Sequence, residues 1–449
     1  MKRRKFLQQL GATGLGLSLF NSAQAEKRFF GTTGTASGRV VVVGGGMAGA
    51  TAAKFLRLWG GSNVQVTLID TNPSYISNIF SNKVLTGEMT LSSLTYTYSN
   101  LVTKYGVTIV NDTVTGLNSN GSTVTVSLNA NPSITCERVI LATGIEFVNR
   151  LTDVSKPDYV PVNGSNSSKI VHAWKAGDQT TNLKTQIQNM TKADTFILTI
   201  PKAPYRCPPG PYERACVVAD YLKRVKGGGK VVVLDANSAI QAQAANFGYA
   251  FDNTFKGVVT YVPNAKITSI DSDAMKVYVD NSADTSKPSS YTAKVINHIP
   301  AHRASDLIFT LNMANAGREL RWAGVNELTY ESTAMPLVHV IGDSCYTKNQ
   351  PKAGHIANTE AKVCVAAIIN FLSGGTMDTV NKNPVTNSSC FTPITYTTAS
   401  WLSGVYKYDA ASSAMKLVTA SAIASNGANS HNYEDMKKWF TNLMADTFN

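Results

Sequence analysis

The β-branched run Arg39-Val40-Val41-Val42-Val43 leads straight into Gly44-Gly45-Gly46-Met47-Ala48-Gly49, and a helix-forming stretch follows over 50–59. Glycines in this G-x-G-x-x-G spacing divide three tasks. Gly44 makes a tight turn, Gly46 lets a pyrophosphate approach the backbone, and Gly49 lets helix and strand pack closely. Val64–Asp70 reads as the next strand, and Asp70 stands twenty-one residues after Gly49. An acid there can hold ribose hydroxyls, while the pyrophosphate sits at the positive end of the helix dipole. A glycine pattern alone would carry little. With strand, turn, helix, strand and acid in order, it specifies a dinucleotide-binding βαβ unit, with Met47 and Ala48 at the helix start.

The grammar returns further on. Thr195–Ile200 reads as a strand, 212–225 as a helix and Lys230–Asp235 as a strand, with Gly227-Gly228-Gly229 marking the junction. The chain is therefore expected to be α/β, with two Rossmann-like dinucleotide-binding domains. No second glycine fingerprint follows Ile200. In its place stands Pro201-Lys202-Ala203-Pro204-Tyr205-Arg206-Cys207-Pro208-Pro209-Gly210-Pro211-Tyr212-Glu213-Arg214. Its five prolines fix φ and remove the N–H donors a pyrophosphate needs. The second domain is expected to bind no NAD(P)H and to present a stiff loop carrying Cys207.

Two further segments favour FAD in the first domain. Val139-Ile140-Leu141-Ala142-Thr143-Gly144 resembles the strand and turn by which two-domain flavoproteins return past FAD. Val340-Ile341-Gly342-Asp343 resembles their late strand, whose Asp reaches the ribityl chain. Gly354-His355-Ile356-Ala357-Asn358 then opens a helix over 359–371, whose dipole would stabilise negative charge on a reduced ring. His355 is read as a packing or hydrogen-bonding residue. The runs 107–110 and 123–128 read as a strand pair in a small antiparallel insert. Beyond about residue 376, Thr, Ser, Asn and Ala predominate, and a helix over 433–446 would bury Trp439, Phe440, Leu443 and Met444. The expected division is an FAD domain (37–155 and 300–375), a second Rossmann-like domain (156–299) and a C-terminal α+β domain (376–449).

Residues 1–25 stand apart from that fold. Arg3-Arg4 within a basic start, an apolar run over 10–20 and the small residues of Ala23-Gln24-Ala25 resemble a twin-arginine signal peptide. Export after folding suits a protein that acquires its cofactor in the cytoplasm, and the implied destination is the periplasm. Later apolar runs are too short for a transmembrane segment. The net charge is +12, and the surface left after residues 1–25 is still basic. It suits an acidic protein partner or an anionic substrate. Basic and aromatic residues are not interleaved as in single-strand binders, so no nucleic acid is expected. The six cysteines form no CxxC and no zinc-ligand spacing, so no metal site is read. With no CxxCH sequence, any haem c must sit on a partner chain.

The proline loop, His172-Ala173-Trp174-Lys175-Ala176-Gly177 and the closing Asp446-Thr447-Phe448 together resemble the flavin subunit of flavocytochrome c sulfide dehydrogenases. These are relatives of the sulfide:quinone oxidoreductases, with the glutathione-reductase-like FAD/NAD(P)-binding fold. The likeness runs along the whole mature chain. It implies a redox disulfide beside the flavin between Cys207 and Cys390, the latter in Asn387-Ser388-Ser389-Cys390-Phe391. Cys390 as a lone buried thiol is the plainer alternative. The resemblance further implies oxidation of hydrosulfide or a related sulfur species, with electrons leaving to a c-type cytochrome subunit or a soluble cytochrome c. Glu213 matches the family's candidate acid–base group, and equally suits the dipole of a helix N-terminus. Cys136, Cys216, Cys345 and Cys364 read as structural.

One family feature is missing. Asn78, in Tyr75-Ile76-Ser77-Asn78-Ile79-Phe80-Ser81-Asn82, stands where the family attaches FAD through a cysteine. An amide forms no thioether, so FAD is expected to be bound non-covalently. Two other readings stand beside the sulfide dehydrogenase: a sulfide:quinone oxidoreductase, and a non-catalytic flavoprotein or sulfur-binding partner. The retained Cys207 and Cys390 oppose the last.

Overall fold

Val40 to Val43 are all buried, as strand residues must be when helices cover both faces of a parallel sheet. They form β1 (Gly38–Val43), which turns through the glycines into α1 (Met47–Gly60) and then β2 (Val64–Asp70). β2 runs parallel to β1, with Val43 opposite Ile69. The structure, a computed structural model, describes residues 36–149 and 156–449. The leader read over 1–25 lies outside them.

β3 (Thr108–Asn111) lies parallel to β2 at the sheet edge, and β4 (Arg138–Leu141) flanks β1 on the other side. This corrects the strand pair read from 107–110 and 123–128. The first belongs to the parallel sheet. The antiparallel insert consists of Val114–Ser119, Val124–Leu128 and Ile134–Cys136. Asp112 separates the two, its carboxylate accepting the N–H groups of Thr113, Ala130 and Asn131 at the base of the insert. A short antiparallel pair, Ile145–Phe147 with His302–Ala304, joins the two crossings between the domains.

The second domain repeats the plan. β5 (Thr195–Ile200), α2 (Gly210–Tyr221) and β6 (Lys230–Asp235) are joined by β7 (Val259–Val262) and β8 (Val295–His298) in a parallel sheet ordered β7-β6-β5-β8. The helix read over 212–225 begins two residues sooner and ends sooner. It widens into a π-helical turn over Leu222–Lys226 and closes on Gly227 at φ 70°, a left-handed position natural to glycine.

The chain then returns to the first sheet. β9 (Val338–Val340) pairs with β4 and completes the order β9-β4-β1-β2-β3. α3 (Gly354–Leu372) packs against α1 and starts at Gly354 itself, a turn earlier than read. The last part is α+β, as expected. β10 (Val385–Pro393), β11 (Ala399–Asp409) and β12 (Ala414–Leu417) form an antiparallel sheet, and α4 (Ser430–Phe448) packs on α1 and β11. Its buried side chains include Met436, Phe440, Leu443, Met444 and Phe448. Trp439 is only half-buried: it packs against the core and also lines a cavity. No helix among the described residues is long and apolar enough to cross a membrane.

Candidate active site

The glycine turn shows why each glycine is there. A Cβ on Gly49 would stand 1.7 Å from the carbonyl oxygen of Gly44, so helix and strand meet only with glycine at that position. A Cβ on Gly46 would meet only the Tyr75 ring, at 3.8 Å, and would otherwise project into a cavity of about 590 Å³. That volume is of the size cofactor pockets have, roughly 300–1,000 Å³. Every cofactor position read from the sequence lines this cavity except Gly49, which acts behind it.

Beside the glycine turn, Asp70 lines the wall and also braces the turn. Its Oδ2 accepts the Gly45 N–H at 2.5 Å and its Oδ1 that of Asn72 at 2.7 Å. Thr143 ties its own turn to Ser305, after the strand His302–Ala304 (2.6 Å), and to Ser344, in the turn after the late strand (3.2 Å). Asp343 lies beside it, and its Oδ1 is buried without a hydrogen-bond partner. Burial pushes this carboxyl up, with Arg206 and Lys352 opposing. A buried polar atom left unsatisfied is costly unless something bound supplies its partner. FAD fits this wall. Gly46 leaves room for its pyrophosphate, the first N–H groups of α1 and α3 have no helical partners, and Asp343 awaits hydroxyls of the kind a ribityl chain carries. The His355 Nδ1 accepts the Ser389 N–H at 3.1 Å, and burial pushes the ring's proton affinity down. It holds β10 against α3.

The far end brings together residues from three parts of the chain. Cys207 sits at φ 59° in the loop after β5, its N–H donating to the Lys352 carbonyl at 2.7 Å and its own carbonyl accepting from Gly210 at 2.9 Å. Cys390 lies within β10, opposite Leu402 of β11. Both thiols line the cavity and both are free, so the bond that the resemblance implies between them is not formed in this structure. Burial pushes Cys207 well above the usual thiol range, with Cys390 and Glu213 adding to it and Arg206 opposing. Cys390 is pushed up to about 11, again by burial first. The remaining four cysteines are buried.

Glu213 occupies the first turn of α2 and lines the same cavity end. Burial pushes its carboxyl up to about 7, against the pull of Asn82, Arg214 and Lys83. The side chain of Asn78 is committed elsewhere, its Oδ1 accepting the Ala176 N–H at 2.8 Å. Several neighbours carried no role in the sequence reading. Trp174 closes on the thiol: a Cβ on Gly210 would stand 2.9 Å from both its ring and the Cys207 sulfur. Arg214 lies over the Trp174 ring at 4.6 Å. Phe391 and Trp439, 5.5 Å apart, wall the Cys390 side. Spacing in the sequence could flag Arg214 and Trp174 only as members of distinctive segments.

The second domain's strand end differs from the first. Asp235 closes β6 as Asp70 closes β2, yet it is fully buried and its oxygens are occupied. Oδ2 accepts from the Tyr212 and Tyr261 hydroxyls at 2.7 and 2.9 Å, and Oδ1 from the Asn237 backbone and side chain at 2.9 and 2.7 Å. Among the described residues, no cluster of His, Cys, Asp and Glu is arranged to hold a metal ion.

Residues 180–300 match the family model described as the central part of the sulfide dehydrogenase [flavocytochrome c] flavoprotein chain. Over that segment the chain is similar to the flavin subunit of these sulfide dehydrogenases. Residues 38–144 match the pyridine nucleotide-disulphide oxidoreductase model, which covers the glycine turn and its sheet. Among solved structures, the sulfide:quinone oxidoreductase of the hyperthermophilic bacterium Aquifex aeolicus superposes with a TM-score of 0.69 at 14% identity, over 91% of each chain. An NDH2 from Plasmodium falciparum in complex with NADH gives 0.61 at 10% identity, over 81% of this chain and 89% of that one. An NAD-dependent persulfide reductase from A. fulgidus gives 0.57 at 15% identity, over 82% of this chain and 63% of that one. At such identities the superpositions speak for the fold, two dinucleotide-binding domains in one chain. The two family matches support a flavin-dependent oxidoreductase of the sulfide-oxidising type.

Proposed function

We propose that this protein is a periplasmic sulfide dehydrogenase flavoprotein that oxidises hydrosulfide through a Cys207–Cys390 redox disulfide and passes the electrons to a c-type cytochrome. One observation carries the reading: two cysteines from distant segments and a buried carboxyl line the end of a cavity that begins at a dinucleotide turn. Hydrosulfide attacks one sulfur of the disulfide. The old S–S bond breaks as a new one forms, leaving a persulfide on one cysteine and a thiolate on the other. Glu213, poised at about 7, has both protonation states populated near neutrality. It can protonate the departing thiolate and recover a proton from the thiol later. Trp174, Phe391 and Trp439 keep the exchange in an apolar enclosure. The Gly44–Gly49 turn, Asp343 and the start of α3 would hold FAD, which would supply a two-electron acceptor able to release its electrons singly.

Anaerobic sulfide should bleach the flavin of the wild type and leave that of Cys207→Ser yellow. No bleaching, or identical behaviour of the two proteins, would overturn the reading. The acceptor is expected to be cytochrome c in preference to a short-chain quinone, and the opposite preference selects the quinone-linked alternative.

Asn78 supports non-covalent FAD, since its amide cannot form a thioether and its oxygen is held by Ala176. Protein recovered from the periplasm and precipitated with acid should therefore leave its yellow colour in the supernatant. Colour in the pellet, or protein confined to the cytoplasm, contradicts this part of the proposal.

A further inference from the structure

Asn82 is one of the buried residues of the short helix Ser81–Leu85 and itself lines the cofactor cavity. A side-chain amide has one end that accepts and one that donates, and its neighbours decide which points where. Here the decision falls to Arg214, whose guanidinium can only donate. Its Nε gives a hydrogen bond to the Asn82 Oδ1 at 2.8 Å. The opposite end of the amide is then the NH₂ group, which donates to the Glu213 Oε1 at 2.8 Å and the Gly210 carbonyl at 3.3 Å.

Arg214 has little freedom to do otherwise. It is almost fully buried, and three of its four remaining donors go to the His172 carbonyl (2.8 Å), the Asn297 Oδ1 (2.8 Å) and the Ala173 carbonyl (2.7 Å). The donor chain Arg214 to Asn82 to Glu213 thus runs in one direction. It ends on one oxygen of a carboxyl that shares the cavity end with Cys207 and Cys390. A nucleophile, a base and a third group that orients the base is the arrangement that activates weak nucleophiles.

We propose that Asn82, set by Arg214, is a positioning residue that holds the Glu213 carboxylate as the proton acceptor for the Cys207 thiol. This deepens the sulfide dehydrogenase reading and rests on it. The amide contributes in two ways. It fixes Oε1, leaving Oε2 to exchange the proton, and its N–H favours the charged carboxylate over the acid. The groups around Glu213 pull both ways. Burial raises it, Asn82, Arg214 and Lys83 lower it, and Glu88 raises it. The Cys207, Cys390 and Cys216 thiols each feel its charge. Lys83 is itself held by Glu88 at 2.6 Å, so it does not substitute for the amide. Removing the Asn82 donor must therefore raise the pH at which Glu213 ionises.

The test uses the FAD-loaded protein carrying Cys390→Ser, so that Cys207 is the one cavity thiol; the other four cysteines are buried. The rate of iodoacetamide alkylation at Cys207, read by peptide mass between pH 5 and 9, is expected to rise through an inflection near 7. Glu213→Gln should abolish that inflection. Asn82→Leu should move it up by about one pH unit, the worth of one hydrogen bond to a charged group. Asn82→Asp keeps an acceptor for Arg214 but gives Glu213 no donor, and should move it up as well. It is the variant that separates positioning from mere packing, and retained flavin absorbance reports that each protein is folded. An inflection missing from the parent, or surviving Glu213→Gln, overturns the underlying reading. An inflection lost in Glu213→Gln but unmoved in both Asn82 variants overturns the role of Asn82 alone.

Discussion

Cys207 is a non-glycine residue in the left-handed region, at φ 59°. For an L-residue that region costs roughly 1–2 kcal/mol, and such cost is tolerated where the surroundings hold the residue firmly. Here the holders are the Lys352 carbonyl on its N–H and the Gly210 N–H on its carbonyl. Cys207→Gly should therefore be more stable to urea than Cys207→Ala by about 0.5–1 kcal/mol, the left-handed cost less the entropy glycine adds to the unfolded chain. Equal stabilities would mean that the backbone there is unstrained. At this scale the sequence was only partly readable. Cys207 stood out because prolines surround it. Asn82 did not, because an amide acquires meaning only from partners more than a hundred residues away, here Glu213 and Arg214.

The element scale was more legible, since periodicity and punctuation are local. The turn between β1 and α1 followed from its glycines, and its two inner positions should respond differently to the same change. A Cβ on Gly49 strikes the Gly44 carbonyl, whereas one on Gly46 enters the cavity. Gly49→Ala should destabilise the FAD-free protein. Gly46→Ala should leave its melting temperature unchanged while weakening FAD binding about tenfold or more, equivalent to about 1.4 kcal/mol. Calorimetry of the FAD-free proteins with fluorescence titration of FAD checks both, and equal losses of stability would contradict the assignment. Where two elements are apolar and adjacent, as over 107–128, periodicity identified strands but not their partners. The side-chain bonds of Asp112, invisible in a hydrophobic pattern, start the insert after β3.

For the whole molecule, the order of the parts was legible and their convergence was not. Two βαβ units and a late return strand can be read in line. That Cys390, from a strand of the last domain, would share a cavity with the loop after β5 came from resemblance and not from spacing. In the second unit the acid that closes the strand is committed to the chain's own side chains. Asp235 spends its oxygens on Tyr212, Tyr261 and Asn237, and prolines replace the glycine turn. NADH is accordingly expected neither to reduce the flavin nor to quench protein fluorescence saturably, and Tyr212→Phe should not create an NADH site. Reduction of the flavin by NADH would refute this.

The two sulfurs at the cavity end are mounted on different kinds of support. Cys390 belongs to a strand laddered to its neighbour, and Cys207 to a proline-braced loop pinned by the Lys352 carbonyl. Neither mounting depends on a link between them. Both terminals stay mounted at the one cavity, as in a fuse holder whose clips stay in place while the fuse is changed.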